Sequence, residues 1–182
     1  QVEVLNERRR VITHDIRGFG RSDLGQVEIT IDQYVRDLER LLDRLGLKQA
    51  VVCGLSMGGY IALRAHELIG PRLRALVLCD TKSEADTDQA RRDRMEAIES
   101  IRRDGLRPFA EEFVKKVFAP RTFVNRPQVI DHQLEVIESH PLEGVCGALR
   151  AMAARRDTTE GLSEIAIPTL LLFGREDALT PP

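Results

Sequence analysis

Residues 51–66 read VVCGLSMGGYIALRAH: an apolar run, a serine set among glycines, then a helical pattern. Gly54, Ser56 and Gly58 fit G-x-S-x-G, which turns up by chance in roughly one chain in twenty of this length, given Gly and Ser near 7% each. The pentapeptide alone therefore carries little weight. Its setting carries more, because the apolar run ends at Gly54 and the helical pattern begins by Gly58, the strand–turn–helix context of a nucleophile elbow. In such a turn the serine takes a strained backbone conformation, and the flanking glycines let strand and helix approach without Cβ clashes. The Ser56 hydroxyl then stands exposed above a sheet edge, and the Met57 N–H, at the positive end of the helix, is the candidate oxyanion donor. A serine nucleophile needs a base, so the four histidines, His14, His66, His132 and His140, come next.

Outward from this stretch, RVITHD (10–15), QAVVCG (49–54), LRALVLCD (73–80) and PTLLLFG (168–174) are β-rich and apolar almost throughout rather than alternating. Strands covered on both faces read that way, which predicts a parallel sheet. Between the first two runs, Ile31, Tyr34, Val35, Leu38, Leu41, Leu42 and Leu45 recur at helical spacing. Thr30 and Gln33 form a capping box, and Gly46 closes this helix. Residues 57–69 are again helical, giving the βαβ alternation of an α/β fold. Helix-rich, charged segments follow without a strand until Ile167. They predict a helical lid over residues 83–160, inserted into a core made of 1–82 and 161–182.

With 42% hydrophobic and 31% charged residues and a formal net charge of −2, the chain falls among globular proteins of about one domain, not disordered ones. Arg91, Arg92, Arg94, Arg102 and Arg103 alternate with acids along one helical pattern, a solvated face rather than a nucleic-acid stripe. Three cysteines, an odd count, argue against a disulfide framework, and Cys53 and Cys79, in apolar runs, read as small buried hydrophobes. A reducing, cytoplasmic setting is the expectation. No apolar run approaches the ~20 residues that span a bilayer. The abrupt start at QVEVLNERRR, the tail of a helix, and the finish in GREDALTPP read as cut ends.

HDIRGFGRSD (14–23), GLSMGG (54–59) and LLFGREDALTP (171–181), in that order, resemble three signature segments of the α/β-hydrolase superfamily. The stretch from Ala148 onward resembles the 3-oxoadipate enol-lactonase-like esterases. The resemblance implies an α/β-hydrolase fold in which Ser56 follows the fifth strand and Asp177, after the seventh, is the acid that orients the histidine. Asp80 is the rival acid, since some members place theirs after the sixth strand, but the segment around Asp177 matches more closely. The family's base follows an eighth strand, which would begin beyond Pro182. His66 lies ten residues into the helix after Ser56, about 15 Å along its axis, too far to reach the hydroxyl. His14 reads as rim packing, and His132 and His140 as polar positions in the lid. The histidine is therefore expected beyond Pro182 and the second oxyanion N–H upstream of Gln1. The family's sheet order also puts a further strand between RVITHD and QAVVCG, so RVITHD is expected to lack its neighbour. Arg17 and Asp23 are read as holding their loop, not as catalytic.

The function this implies is hydrolysis of a small carboxylic ester or lactone through an acyl-enzyme on Ser56. Two alternatives stay open: a cofactor-free haloperoxidase or perhydrolase using the same triad, and a ligand-binding receptor on the same fold. The glycine-rich segments lack the Lys-Ser/Thr of a P-loop, and no His/Cys/Asp cluster has metal-ligand spacing, so no cofactor or metal is implied. The partner expected is a small-molecule ester or lactone, with neither nucleic acid nor membrane. The 182-residue chain by itself is expected to be loosely packed and to show no histidine-dependent turnover.

Overall fold

A computed structural model describes residues 2–181. Three parallel strands, β1 (Ala50–Leu55), β2 (Leu73–Cys79) and β3 (Thr169–Leu172), form one sheet in the order β1-β2-β3. The expected strand at 10–15 does not form. A strand is defined by its ladder, and residues 10–16 have no ladder partner among the described residues. A short helix, α1 (Val2–Asn6), stands where the N-terminal helix tail was read.

Helix α2 (Ile31–Arg44) starts where Thr30 Oγ1 accepts the Gln33 N–H at 3.0 Å. The capping box is only half made, because the Gln33 amide turns instead to Asp37 Oδ1 at 3.0 Å. At the other end Gly46, at φ 65°, donates to Asp43 O while Leu47 N–H reaches Leu42 O. That pair of bonds is a Schellman motif and requires the left-handed conformation glycine supplies. Helix α3 (Met57–Ile69) packs on β1 and β2 and against α2. Tyr34, Val35, Ala62, Leu63, Ala65, Leu73, Leu76 and Leu78 close the core on this side.

The opposite face of the sheet is open among the described residues. Val51 and Leu55 are 55% and 64% exposed, Cys53 is exposed, and every residue of β3 is exposed. β1 and β2 are thus covered on one face, and β3 is exposed throughout. Cys53 is not the buried hydrophobe its apolar run suggested, because period-two alternation sends it to the uncovered side with Val51 and Leu55.

Between β2 and β3 run five α-helices, a 3-10 turn (Glu160–Glu164) and no strand: α4 (Asp88–Asp104), α5 (Leu106–Val117), α6 (Pro120–Asn125), α7 (Pro127–Glu138) and α8 (Leu142–Ala153). Two apolar clusters hold them, one around Ile98, Ile101, Cys146 and Leu149, the other around Ala110, Val114, Leu134 and Ile137, with Phe109 touching both. Helix α8 carries the insertion onto the core, since Met152 packs against the first of these clusters and against the sheet's own core.

The neck of the insertion is fastened by charge. Asp86 and Arg155, with side chains only 2% and 3% exposed, form an ion pair at 2.5 Å, and Arg94 adds a second at 2.6 Å. Arg155 also donates to Glu84 O and Met152 O and stacks over the Tyr60 ring at 4.2 Å. Backbone bonds lace the two crossings, with Thr158 N–H to Ser83 O at 3.0 Å and Ala85 N–H to Asp157 Oδ2 at 3.1 Å. Arg94 therefore does not belong to the solvated arginine face of α4.

Candidate functional site

Parallel strands raise all their C-terminal ends to one edge, and this edge collects the candidate residues. Ser56 sits between β1 and α3 at φ 50°, ψ −112°, exposed, in a backbone region that costs a non-glycine residue about 1–3 kcal/mol. Its main chain is held from three sides. The Ser56 N–H donates to Cys79 O at 2.9 Å, tying the turn to β2. Its carbonyl accepts the Gly59 N–H at 2.8 Å and the hydroxyl of buried Thr81 at 2.9 Å. The Met57 N–H opens α3 with no turn of helix before it to supply an acceptor, which leaves it available at the positive end of the dipole.

The glycines act differently from the reading of the flanking pair. A Cβ on Gly54 would lie 2.1 Å from Gly58 O, so strand and helix do approach across that residue. A Cβ on Gly58 would meet nothing within 4 Å. The second tight position is Gly59, where a Cβ would fall 2.3 Å from Thr81 Oγ1. Gly59 was visible as the last letter of GLSMGG, but only the position of Thr81 explains it.

Asp177 lies in the loop after β3. Its Oδ1 accepts N–H groups of Leu179 at 2.8 Å and Thr180 at 3.1 Å, and its Oδ2 accepts the Thr180 hydroxyl at 2.6 Å. Burial pushes its pKa up, but these bonds, with a contact to Asp80, hold it below the usual carboxylate range. Three of about four acceptor positions on the carboxylate are filled, which fixes its orientation and leaves little slack. Asp80 stands beside it at φ 41°, taking the Gly174 N–H at 2.6 Å and donating its own N–H to Leu172 O. Asp80 thus binds the loop after β3 to the end of β2. The sheet brings Ser56, Met57, Asp80 and Asp177 to one edge.

It brings no histidine to them: among the described residues none of the four is hydrogen-bonded to Ser56. His66 is in the last turn of α3. His14 is exposed in the loop before α2, and His132 is exposed on α7. His140, just past α7, meets Phe19 edge-on with ring centroids 5.1 Å apart. That contact joins the insertion to the 14–23 loop, where Arg17 makes a bidentate bond to Asp37 at 2.8 Å and Arg21 N–H reaches Asp15 Oδ2. Asp23 contributes only its carbonyl, to Gly18 N–H. Among the described residues no group of three or more His, Cys, Asp or Glu is placed to hold a metal ion, and no helix is long and apolar enough to cross a membrane.

The family model described as the alpha/beta hydrolase fold matches residues 1–182. The chain belongs to this family. Within the hydrolase fold it is similar to 3-oxoadipate enol-lactonase 1 of Acinetobacter baylyi, 29% identical over 180 residues that cover 99% of this chain and 66% of the relative. Among solved structures it resembles a thermophilic esterase from Thermogutta terrifontis, at 40% identity and TM-score 0.95, covering 100% of this chain and 67% of that one. The enol-lactonase from Burkholderia xenovorans LB400 superposes at TM-score 0.91 with 26% identity, over 100% of this chain and 68% of that one. The chain thus spans slightly less than two thirds of the length of the curated enol-lactonase it matches.

Proposed function

We propose that this hydrolase-fold chain carries the nucleophile, one oxyanion donor and the acid of a serine hydrolase acting on small carboxylic esters or lactones. The observation that carries the reading is the strained, triply anchored Ser56 with an open N–H next to it. Ser56 Oγ attacks the ester carbonyl and the Met57 N–H stabilises the oxyanion. A histidine from outside residues 2–181, oriented by Asp177, takes the serine proton, passes it to the leaving alkoxide and later activates the water that frees the acid. The similarity to an esterase and to two enol-lactonases supports ester or lactone as the substrate class. The α4–α8 insertion is the lid over one end of the sheet.

In the complete protein a fluorophosphonate probe should label Ser56, and Ser56→Ala should abolish labelling and lower turnover by several orders of magnitude. Labelling that survives the substitution removes Ser56 from the mechanism. Asp177→Asn should cost on the order of 10⁴-fold in kcat, and Asp80→Asn far less. The reverse ranking moves the acid to the end of β2. Residues 1–182 alone should turn over no ester; measurable esterase activity would direct the search for the base to His132 and His140.

A further inference from the structure

Beside the neck lies a partly enclosed cavity of about 280 Å³, lined by the start of α2, by α3 and by the two crossings of the insertion, and not by Ser56. Its charged lining is strongly one-sided: Arg36, Arg64, Lys82, Arg155 and Arg156 against the single acid Asp32. Asp32 is bound by Arg64 and also feels the charges of Arg156 and Arg36. It takes a bidentate pair from Arg64 at 2.7 and 3.0 Å, and this bond holds its carboxyl below the ordinary range against the opposing effect of burial. Arg64 also meets Glu67 at 2.6 Å, and Arg155 is committed to Asp86. Arg36, Lys82 and Arg156 have no carboxylate partner among the described residues, although all three line one small space.

Two further features favour an anion there. Ile31 and Asp32, which line the cavity, lie in the first turn of α2, where backbone N–H groups have no intrahelical acceptor. Arg155, nearly wholly buried and part of the cavity lining, has an Nε–H with no acceptor among the described residues. Buried donors normally find a partner, and unpaired cations that converge on one recess repel one another until a counter-charge arrives. We propose that this recess is a binding site for a small dianion, an inorganic phosphate or a short dicarboxylate. The anion is bridged by Arg36 of α2 on one side and by Lys82 and Arg156 of the neck on the other. Because the two crossings of the insertion contribute one cation each, a bound dianion also fastens the insertion to the core. The site is independent of the ester chemistry proposed for Ser56.

The test is titration calorimetry and thermal melting of the purified protein with sodium phosphate and, separately, sodium succinate, against sodium chloride matched in ionic strength. Saturable binding of either dianion with a rise in melting temperature is expected, and which of the two binds more tightly identifies the source. Affinity should fall as chloride is raised, since the contacts are Coulombic and partly exposed. Arg36→Gln with Arg156→Gln should weaken binding at least about tenfold while leaving the ligand-free melt unchanged, because both side chains are exposed and unpaired. Lys82→Ala is the second variant and should weaken binding in the same direction. No saturable binding of either dianion, a melting shift that chloride reproduces, or undiminished affinity in both variants overturns the proposal.

Discussion

Two of the junctions at which the chain passes above the C-terminal edge of the sheet, the Ser56 turn and the neck of the helical insertion, are held by different forces. At Ser56 the restraints are short-range: glycines where Cβ atoms cannot fit, three backbone hydrogen bonds, and one hydroxyl. At the neck the restraints are charges 69 residues apart in sequence, buried together and satisfied mostly by each other. The first junction is held by shape, so its weak point is added volume. The second is held by compensation, so its weak point is the loss of one partner.

The largest effect should come from breaking the compensation. Asp86→Ala leaves Arg155 and Arg94 without their carboxylate in a nearly dry site, which costs about 3–5 kcal/mol when a buried pair loses one member. Denaturant melts of the complete protein should show that loss, whereas Glu143→Ala, whose bridges to Arg102 and Arg150 are exposed, should change stability by under about 1 kcal/mol. Equal effects would erase the distinction between the buried neck and the solvated surface.

Acid should act on the neck in the same sense. Burial raises the Asp86 pKa, but the bonds from Arg94 and Arg155 outweigh it and leave the carboxyl below its ordinary value. The unfolded chain therefore takes up this proton at a higher pH than the folded one does. The stabilisation is complete above the unfolded carboxylate value of about 3.9 and is lost as the pH falls through the lower folded value. Urea melts from neutral pH downward should show wild-type stability falling below about pH 4 more steeply than that of Asp86→Asn. Parallel curves would mean that Asp86 does not carry the acid sensitivity of the neck.

These two junctions also mark what could be read in the residues. GLSMGG sits between an apolar strand and a helical run, and each part of that signal is local, so turn, helix start and exposed serine could all be placed. Helix α2 was legible for the same reason, down to Thr30 and Gly46. Nothing near Asp86 or Arg155 advertises their pairing, and Arg94, placed with a solvated face, was misread because its partner precedes its own helix. RVITHD has a strand's composition and no strand, because pairing is a property of neighbours and not of the segment. Thr81 follows an apolar run and looks like a loop residue until its hydroxyl is seen on Ser56 O.

A smaller effect separates the two glycines of the turn. Gly59→Ala drives a methyl into Thr81 and should cost about 1–3 kcal/mol, as overpacking does. Gly58→Ala enters open space in the first turn of α3 and should be neutral or stabilise by about 0.4–1 kcal/mol through the unfolded state. Thermal melts of the two variants, paired with fluorophosphonate labelling rates, measure both sides. A Gly58→Ala variant as damaged as Gly59→Ala would show that the turn is tighter than its shape indicates.

The smallest effect expected concerns Thr81, a side chain that joins the two junctions, since it lies between the end of β2 and the neck and bonds to the carbonyl of Ser56. Thr81→Val keeps the volume that packs on Gly59 and removes only the hydroxyl. The Ser56 carbonyl keeps its bonds from Gly59 and Tyr60 N–H, so no buried acceptor is orphaned. The loss should be the net value of one hydrogen bond, about 0.5–1.5 kcal/mol. If that bond chiefly holds the strained serine in its reactive pose, the loss appears as a drop of roughly two- to tenfold in the labelling rate and in kcat, with KM unchanged. Thr81→Ser, which restores the hydroxyl and loses the methyl, should recover the rate while melting lower than Thr81→Val. A labelling rate that follows stability across the two variants, instead of following the hydroxyl, would reduce Thr81 to packing and leave the serine turn held by its backbone alone.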